Sequence, residues 1–409
     1  MTTIANLNER QHWHRWAPAF GSGALARPVD LRGLHGSAAR LSIKRVFVAG
    51  LGAVGGKVFE NLARLGVGEL FGVDPDDYSV DSLFTQPCEF GDAGRSKAEV
   101  QGKRAHAIHP EIAIHTARRW AQDVPLRTLR DCDVWICAGD NRELAVWLGV
   151  AAAGLGKTLI HGAVSADDSW TACVRVFGLQ DAAQSCPGCG LSAAEWAELR
   201  HREGCGTLAS DPNDGSSTRT PPHVCGSAAE LVVAEAVKLL LDFEPGPCTG
   251  EEVAYCQKSH RTWRTTLPRN PHCRCPHDRW TLHDVPDDPE RLTLRSLQLE
   301  AGIAVTESVR VRGELPWVST VACPRCDRRQ SVRRFGHAGD VVGTCPCGAA
   351  LAASPMGLRS VIPLDDLAAC RDVPLSLLGV LPGTAVGFST GERWTYCFVG
   401  RPTETGGSQ

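Results

Sequence analysis

Two kinds of residue cluster in this 409-residue chain could do chemistry. The first is a glycine turn followed at a distance by carboxylates. Gly50, Gly52 and Gly55 come directly after the apolar run 46–49, and Asp74 and Asp76 follow a second apolar run at 70–73. Glycines at that spacing let a backbone approach a phosphate, a helix starting there attracts its negative charge, and a carboxylate ending the next strand can take ribose hydroxyls. The plainer alternative is a turn that needs glycine only for close helix packing. The second kind is paired cysteine: Cys186-x-x-Cys189, Cys273-x-Cys275, Cys323-x-x-Cys326 and Cys345-x-Cys347. Thiolates so spaced can close on a tetrahedral metal such as zinc; the alternative is a set of reduced thiols.

The surrounding residues read as elements that would hold these groups in place. Val46, Val48 and Ala49 suit a buried strand; Val58, Leu62 and Leu65 recur at helical spacing; Leu70, Phe71 and Val73 suit a second strand. This is a mononucleotide-binding βαβ unit, and the expected fold class is α/β: a Rossmann-like domain with a mainly parallel sheet, plus a small, mostly β, zinc-ribbon-containing module. Residues 1–42 are expected to be an N-terminal arm or small helical cap, 43–282 the nucleotide domain, and 283–409 the β module. Residues 144–164 read as a buried helix leading into a strand at 158–160. Residues 204–222, rich in Gly, Ser, Thr, Asp and Pro, read as a loop, and 228–241 as a helix. Beyond a linker beginning at Asp284, the alternation from Leu292 suggests a strand. Residues 331–335 and 339–343 suggest the two arms of a hairpin, and 360–364, 384–388 and 394–399 further strands.

The residues after the second strand say more about the nucleotide. Leu62-Ala-Arg-Leu-Gly-Val-Gly68 precedes that strand. Asp74-Pro-Asp76, then Ser82-Leu83 with Gln86, Gly94-Arg-Ser-Lys97, and Asp140-Asn141 after the apolar run 134–137 follow in order. This series resembles the ubiquitin-activating-type adenylyltransferases of the ThiF/MoeB/HesA family over roughly residues 10–280. The resemblance implies that ATP sits on Gly50, Gly52, Ala53 and Gly55. Asp74 would bind its ribose with Asp76 beside it, and Gln86 would line the site. Lys97 would contact the phosphates, and Asp140, with Asn141 beside it, would hold Mg²⁺. Alone, Lys97 could be a solvated helix residue and Asp140 a helix cap. The family's Asn and Arg are replaced by Ser82 and Thr85, which removes a fixed cation. The family often supplies another arginine from the N-terminal segment of a partner subunit. Arg15 stands in about that place and implies a homodimer; it could equally be part of a basic surface helix. Some members pass the acyl group to a cysteine. Cys205, expected in the loop near His201 and Arg202, suits a nucleophile better than Cys225, expected to be buried.

The family commonly closes a zinc site with one cysteine pair before the crossover loop and one at the domain end, which pairs Cys186 and Cys189 with Cys273 and Cys275. Because the latter pair is C-x-C, His272, His277 or Cys256 could substitute as a ligand. Cys323, Cys326, Cys345 and Cys347 have zinc-ribbon spacing and imply a second structural zinc, since so short a hairpin buries no core of its own. Cys132, Cys137 and Cys173 lie in apolar stretches and read as core. The 43 basic and 46 acidic residues leave a formal charge of −3, which argues against a nucleic-acid partner. The first residues have no apolar signal segment, and 144–164 is interrupted by Lys157, His161 and glycines. No membrane partner and a soluble, cytoplasmic protein are therefore expected. The expected function is ATP-dependent adenylylation of a carboxylate on a ubiquitin-like or sulfur-carrier protein or on a precursor peptide. The alternatives are peptide modification in natural-product biosynthesis, a non-catalytic nucleotide-binding scaffold and, third, a nicotinamide oxidoreductase.

Overall fold

The computed structural model describes residues 13–16, 30–165, 168–205, 220–305, 308–336, 340–353, 358–391 and 393–400. In chain order the first part contains β1 (His14–Trp16), α1 (Ser37–Leu41), β2 (Arg45–Ala49), α2 (Gly55–Arg64), β3 (Glu69–Val73), α3 (Lys97–Ile108), β4 (Ala113–Ala117), α4 (Leu126–Asp131), β5 (Val134–Cys137), α5 (Arg142–Leu155), β6 (Thr158–Val164), β7 (Thr171–Gly178), α6 (Ala193–Cys205), α7 (Pro222–Leu240), β8 (Glu251–Cys256) and β9 (Arg261–Thr266). The strands form one nine-stranded sheet in the order β1-β4-β3-β2-β5-β6-β7-β8-β9. From β4 to β6 neighbours run parallel, and β7, β8 and β9 continue antiparallel.

The central strands are apolar on both faces because both faces are covered. Val46, Val48, Leu70 and Ile136 pack with Val58, Phe59 and Leu62 of α2 and Ala228 and Val232 of α7. Phe47, Trp135 and Leu159 pack on the opposite face with Leu148, Ala152 and Leu155 of α5. The expected helix-then-strand at 144–164 is α5 and β6, and α5 ends at Gly156, which takes the left-handed φ of 65° that glycine adopts without a Cβ penalty. The N-terminal segment contributes a strand where a basic surface helix had been one expectation. Strand β1 pairs antiparallel with β4, and Trp16 lies so close to Gly102 that an added Cβ would come within 2.3 Å of its ring.

The C-terminal part has two smaller sheets. Its elements are β10 (Thr281–Val285), α8 (Leu294–Glu300), β11 (Arg310–Gly313), β12 (Trp317–Ala322), β13 (Arg329–Phe335), β14 (Val341–Thr344), β15 (Ala350–Ala353), β16 (Leu358–Arg359), β17 (Ile362–Pro363), β18 (Ala385–Ser389) and β19 (Thr395–Val399). One sheet runs β10-β19-β18-β11-β17; the other runs β13-β12-β15-β14 with β16 on β12. Three local expectations change. Asp284, expected to open a linker, lies inside β10. The alternation from Leu292 is a helix start: Thr293 Oγ1 accepts from Ser296 N at 3.1 Å, and Leu294 and Leu297 are buried at helical spacing. The expected hairpin arms 331–335 and 339–343 are not partners: their described residues lie in or beside the two outer strands, β13 and β14, separated by β12 and β15, and residue 339 lies outside the described residues.

The first C-terminal sheet leans on the nucleotide domain. Ala385, Tyr396 and Phe398 belong to the same apolar cluster as α4 and α5, and Trp280 packs on Tyr396 with ring centroids 4.3 Å apart and planes tilted by 32°. Glu314 spans this junction: its Oε1 accepts from Leu126 N at 3.2 Å on one side and Ala385 N at 2.7 Å on the other.

Candidate functional site

The glycine turn lies between β2 and α2, where the parallel sheet changes direction: β3 leaves β2 on one side and β5 on the other. At such a switch point the carboxyl ends of adjacent strands open a crevice. Gly50 has a φ of 88°, and an added Cβ would meet Gly139 N at 2.8 Å. A Cβ on Gly55 would fall 1.9 Å from Gly50 O. Both positions therefore need glycine for the packing of the turn itself. Gly52 differs, because a Cβ there meets nothing nearer than Gln86 Oε1 at 3.4 Å. Its surface is left bare, and Gln86 Oε1 is buried with no hydrogen-bond partner among the described residues. A bare backbone beside an acceptor lacking a donor fits a ligand that brings hydroxyl or amino hydrogens, as a nucleotide does.

Asp74 and Asp76 divide their work. Asp74 is buried; its Oδ2 accepts from Leu51 N at 2.7 Å and its Oδ1 from Asp76 N at 2.9 Å. Burial pushes its carboxyl above the usual aspartate range, against the pull of Lys97 and the two N–H donors. Asp74 thus ties the turn to β3, while Asp76 is the more exposed carboxylate and accepts from Lys97 Nζ at 3.0 Å. Lys97 opens α3 behind the N-cap Ser96. Burial works against its charge, but Asp74, Asp76 and Asp140 outweigh burial and hold the ammonium above the ordinary lysine value. The structure therefore brings Asp74, Asp76, Lys97 and Asp140 into one electrostatic group. Asp140 is exposed just beyond β5; Asn141 is the N-cap of α5, its Oδ1 accepting from Glu143 N at 2.8 Å. Ala53 sits half-buried in the turn. Ser82 is also occupied locally: Ser79 N donates to its Oγ at 3.0 Å, closing a short turn before Thr85.

Two residues that motif reasoning did not single out brace the turn. Tyr78 Oη donates to Leu51 O at 3.4 Å and accepts from Gln101 Nε2 at 2.7 Å; Gln101 Nε2 also donates to Pro87 O at 2.9 Å. Gln101 is completely buried, and a glutamine on the same helix face as Ala98 and Ala105 is the signal that could have found it. Arg15 is exposed on β1, opposite His115 of β4 and three strands from β2. The sheet order thus places it away from the glycine turn of its own chain.

The thiols sort by burial. Cys132, Cys137 and Cys173 are buried, as expected, and burial pushes the Cys137 thiol up to about 12 and that of Cys173 up to about 11. Cys225 is buried in the first turns of α7, and burial raises its thiol as well. Cys205, expected within a loop, is the last residue of α6; the rest of that expected loop, from 206 to 219, lies outside the described residues.

Among the described residues, two groups can hold a metal ion. Cys323, Cys326, Cys345 and Cys347 converge as their spacing implied, with Cys323 Sγ–Cys347 Sγ at 3.5 Å and Cys326 Sγ–Cys345 Sγ at 3.6 Å. The other group is Cys186, Cys189, Cys273 and His277, with Cys186 Sγ–Cys189 Sγ at 3.9 Å, Cys186 Sγ–Cys273 Sγ at 3.7 Å and Cys189 Sγ–His277 Nε2 at 3.6 Å. A tetrahedron with metal–sulfur bonds of about 2.3 Å has edges of about 3.8 Å, so both groups fit a closed four-ligand ion such as zinc. Cys275, expected as the fourth ligand, is not one of these four; its thiol lies between Cys186, with which it hydrogen-bonds, and Gly188. Four residues of chain from Cys273 let it turn back and bring the longer imidazole of His277 into the corner. His272 is exposed and Cys256 ends β8, and neither joins the group.

A mononucleotide βαβ unit with a lysine held charged at its mouth suits chemistry on phosphate. The class of protein it defines is the Rossmann-like mononucleotide-binding proteins. Comparison with known proteins narrows this: the chain belongs to the ThiF family, whose profile matches residues 27–277. It is 29% identical over 260 residues to a sulfur carrier protein adenylyltransferase of Thermus thermophilus, a match spanning 61% of this chain and 88% of that one. It is 41% identical over 96 residues to a tRNA threonylcarbamoyladenosine dehydratase of Haemophilus influenzae, covering 23% of this chain and 34% of that one. Among solved structures, Escherichia coli MccB superimposes with a TM-score of 0.47 at 18% identity, over 58% of this chain and 68% of that one. Among the described residues, no helix is long and apolar enough to cross a membrane.

Proposed function

We propose that the chain adenylylates a carboxylate of a small sulfur-carrier or ubiquitin-like protein, releasing pyrophosphate. The observation that carries this reading is that Lys97, Asp76 and Asp140 form one charge group at the carboxyl ends of β3 and β5, the strands on either side of the glycine turn. The Thermus relative, aligned over most of its own length, supports a sulfur carrier as substrate. A precursor peptide with a free carboxylate is the second reading.

Bound ATP would supply the α-phosphorus that is attacked and the pyrophosphate that leaves. The residues supply position and charge. Gly52 lets the backbone come close to phosphate, Gly50 closes the turn that presents it, and Asp76 offers its exposed carboxylate to the ribose. Lys97 holds positive charge where the phosphate oxygens gather negative charge. Asp140 would bind Mg²⁺ at the exposed end of β5, and the two four-ligand groups would carry structural zinc. Arg15, on the outer edge of its sheet, would act in trans in a homodimer. Reduced thiols in such number suit the cytoplasm.

The test is substrate-dependent exchange of pyrophosphate into ATP with the carrier protein or peptide as substrate. Asp140→Ala is expected to lower exchange at least a hundredfold with the fold intact by circular dichroism. Exchange at the wild-type rate in that variant would refute the assignment.

A further inference from the structure

The hairpin strand β13 and the knuckle that precedes it carry an unusual charge. Residues 317–359 contain six arginines and no lysine against two aspartates, in a chain whose overall formal charge is −3. Arg325, Arg328, Arg329 and Arg333 are exposed and Arg334 is half-buried. Many guanidiniums elsewhere are paired with carboxylates: Arg45 with Glu69 at 2.7 Å, Arg175 with Glu252 at 2.5 Å, Arg295 with Asp372 at 2.6 Å and Arg371 with Asp365 at 2.7 Å; within this stretch Arg359 pairs with Asp366 at 2.7 Å. Here Arg329 reaches Asp327 only at 4.0 Å. Arg325 Nη1 donates to Cys347 O at 3.1 Å and Arg334 Nε to Phe335 O at 3.4 Å, both backbone carbonyls. No carboxylate pairs with Arg328 or Arg333 among the described residues.

The same strand is the end of its sheet. Among the described residues, the only strand paired with β13 is β12; on its far side Phe335 N donates to Leu378 O, while Arg329, Gln330, Ser331 and Arg333 stand exposed. An end strand with open backbone groups is a template for another strand, and natural proteins usually cover or blunt it. Two things hold this one in shape: the Cys323–Cys347 ligand group at its knuckle, and a small core of Val318, Val321 and Leu351 beneath it.

We infer that the outer edge of β13 recruits the polypeptide substrate by accepting an extended acidic segment as an added strand. Open ladder groups would bind its backbone, and the arginines would bind its Asp and Glu side chains. This rests on the reading that the substrate is a polypeptide, and names what would be recognised in it. RNA fits less well: Trp317 and Phe335 are buried, so the described part of the ribbon offers no exposed aromatic ring for a base to stack on.

The test is fluorescence anisotropy with the full, metal-loaded chain, without ATP, so that a chain inactive in pyrophosphate exchange still reports here. The probes are a labelled twelve-residue peptide of alternating Glu and Thr, a peptide of the same composition with six Glu followed by six Thr, and a sixteen-base-pair RNA duplex. The alternating peptide is expected to bind tightest. R329A/R333A is expected to weaken it about tenfold with metal content unchanged, and R329K/R333K to recover part of that loss. RNA binding tighter than either peptide, equal binding of the two peptides, or an alternating-peptide affinity unmoved by R329A/R333A would each overturn the inference.

Discussion

Glu314 gives the most quantitative test of how the two parts of the chain are joined. Enclosure between α4 and β18 pushes its carboxyl from 4.5 up to about 8, against the pull of its two backbone donors and Arg127. Both donors go to a single oxygen, Oε1, as a protonated carboxyl would allow. The folded chain therefore keeps a proton that the unfolded chain has released. The stabilisation is whole below pH 4.5 and falls by about 1.4 kcal/mol per pH unit as the pH rises towards 8. At pH 7 the loss attributable to Glu314 is about 3 kcal/mol at most. Glu314→Gln keeps the accepting oxygen and removes the ionisation, so the variant should be more stable than wild type at pH 7 by roughly 2–3 kcal/mol and nearly equal to it at pH 4.5. Urea unfolding at half-unit steps from pH 4.5 to 8.5 would measure this, read by tryptophan fluorescence. Trp280, 4.3 Å from Tyr396, reports on the junction. A wild-type-minus-variant difference that does not change with pH would refute the argument, as would a variant less stable throughout.

Three further outcomes are expected. Elemental analysis of unchelated protein should find two zinc ions per chain, one of them lost in His277→Ala and neither in Cys275→Ser; loss of a metal from the serine variant would return Cys275 to the ligand set. Gly55→Ala should destabilise the chain by about 1–3 kcal/mol in denaturant titration, because its Cβ meets the carbonyl of Gly50, whereas Gly52→Ala should keep the fold and weaken ATP binding in titration calorimetry. Pyrophosphate exchange should survive both Cys205→Ser and Cys225→Ser, since adenylate formation uses no thiol. A reductant-sensitive enzyme–substrate adduct on a non-reducing gel that disappears in one of them would identify the acceptor cysteine.

Much of the nucleotide region was legible before any tertiary contact was known. Its strand, glycine turn, helix and second strand are each set by residues a few positions apart, and local geometry is written at that range. The same holds for the ligand group of the ribbon, whose knuckles are two tight turns. Legibility failed where the partner was distant. The alternation from Leu292 concealed a helix because capping by Thr293 and burial of Leu294 and Leu297 outweighed a period-two pattern. The arms at 331–335 and 339–343 looked like neighbours, but sheet pairing placed β12 and β15 between β13 and β14.

By itself, then, the sequence determined the class of fold, the turn on which a nucleotide can lie, the identity of Lys97 and the carboxylates near it, and the cysteine knuckles. Tertiary structure alone decided that Asp74 braces the turn while Asp76 faces outward, that His277 stands with Cys186, Cys189 and Cys273, that Arg15 lies on a distant sheet edge, and that Glu314 is enclosed between α4 and β18. Spacing along the chain dictates what neighbouring residues can form. Which side chain reaches a given point from 80 or 200 residues away depends on how whole elements pack, and that is settled only when the cores close.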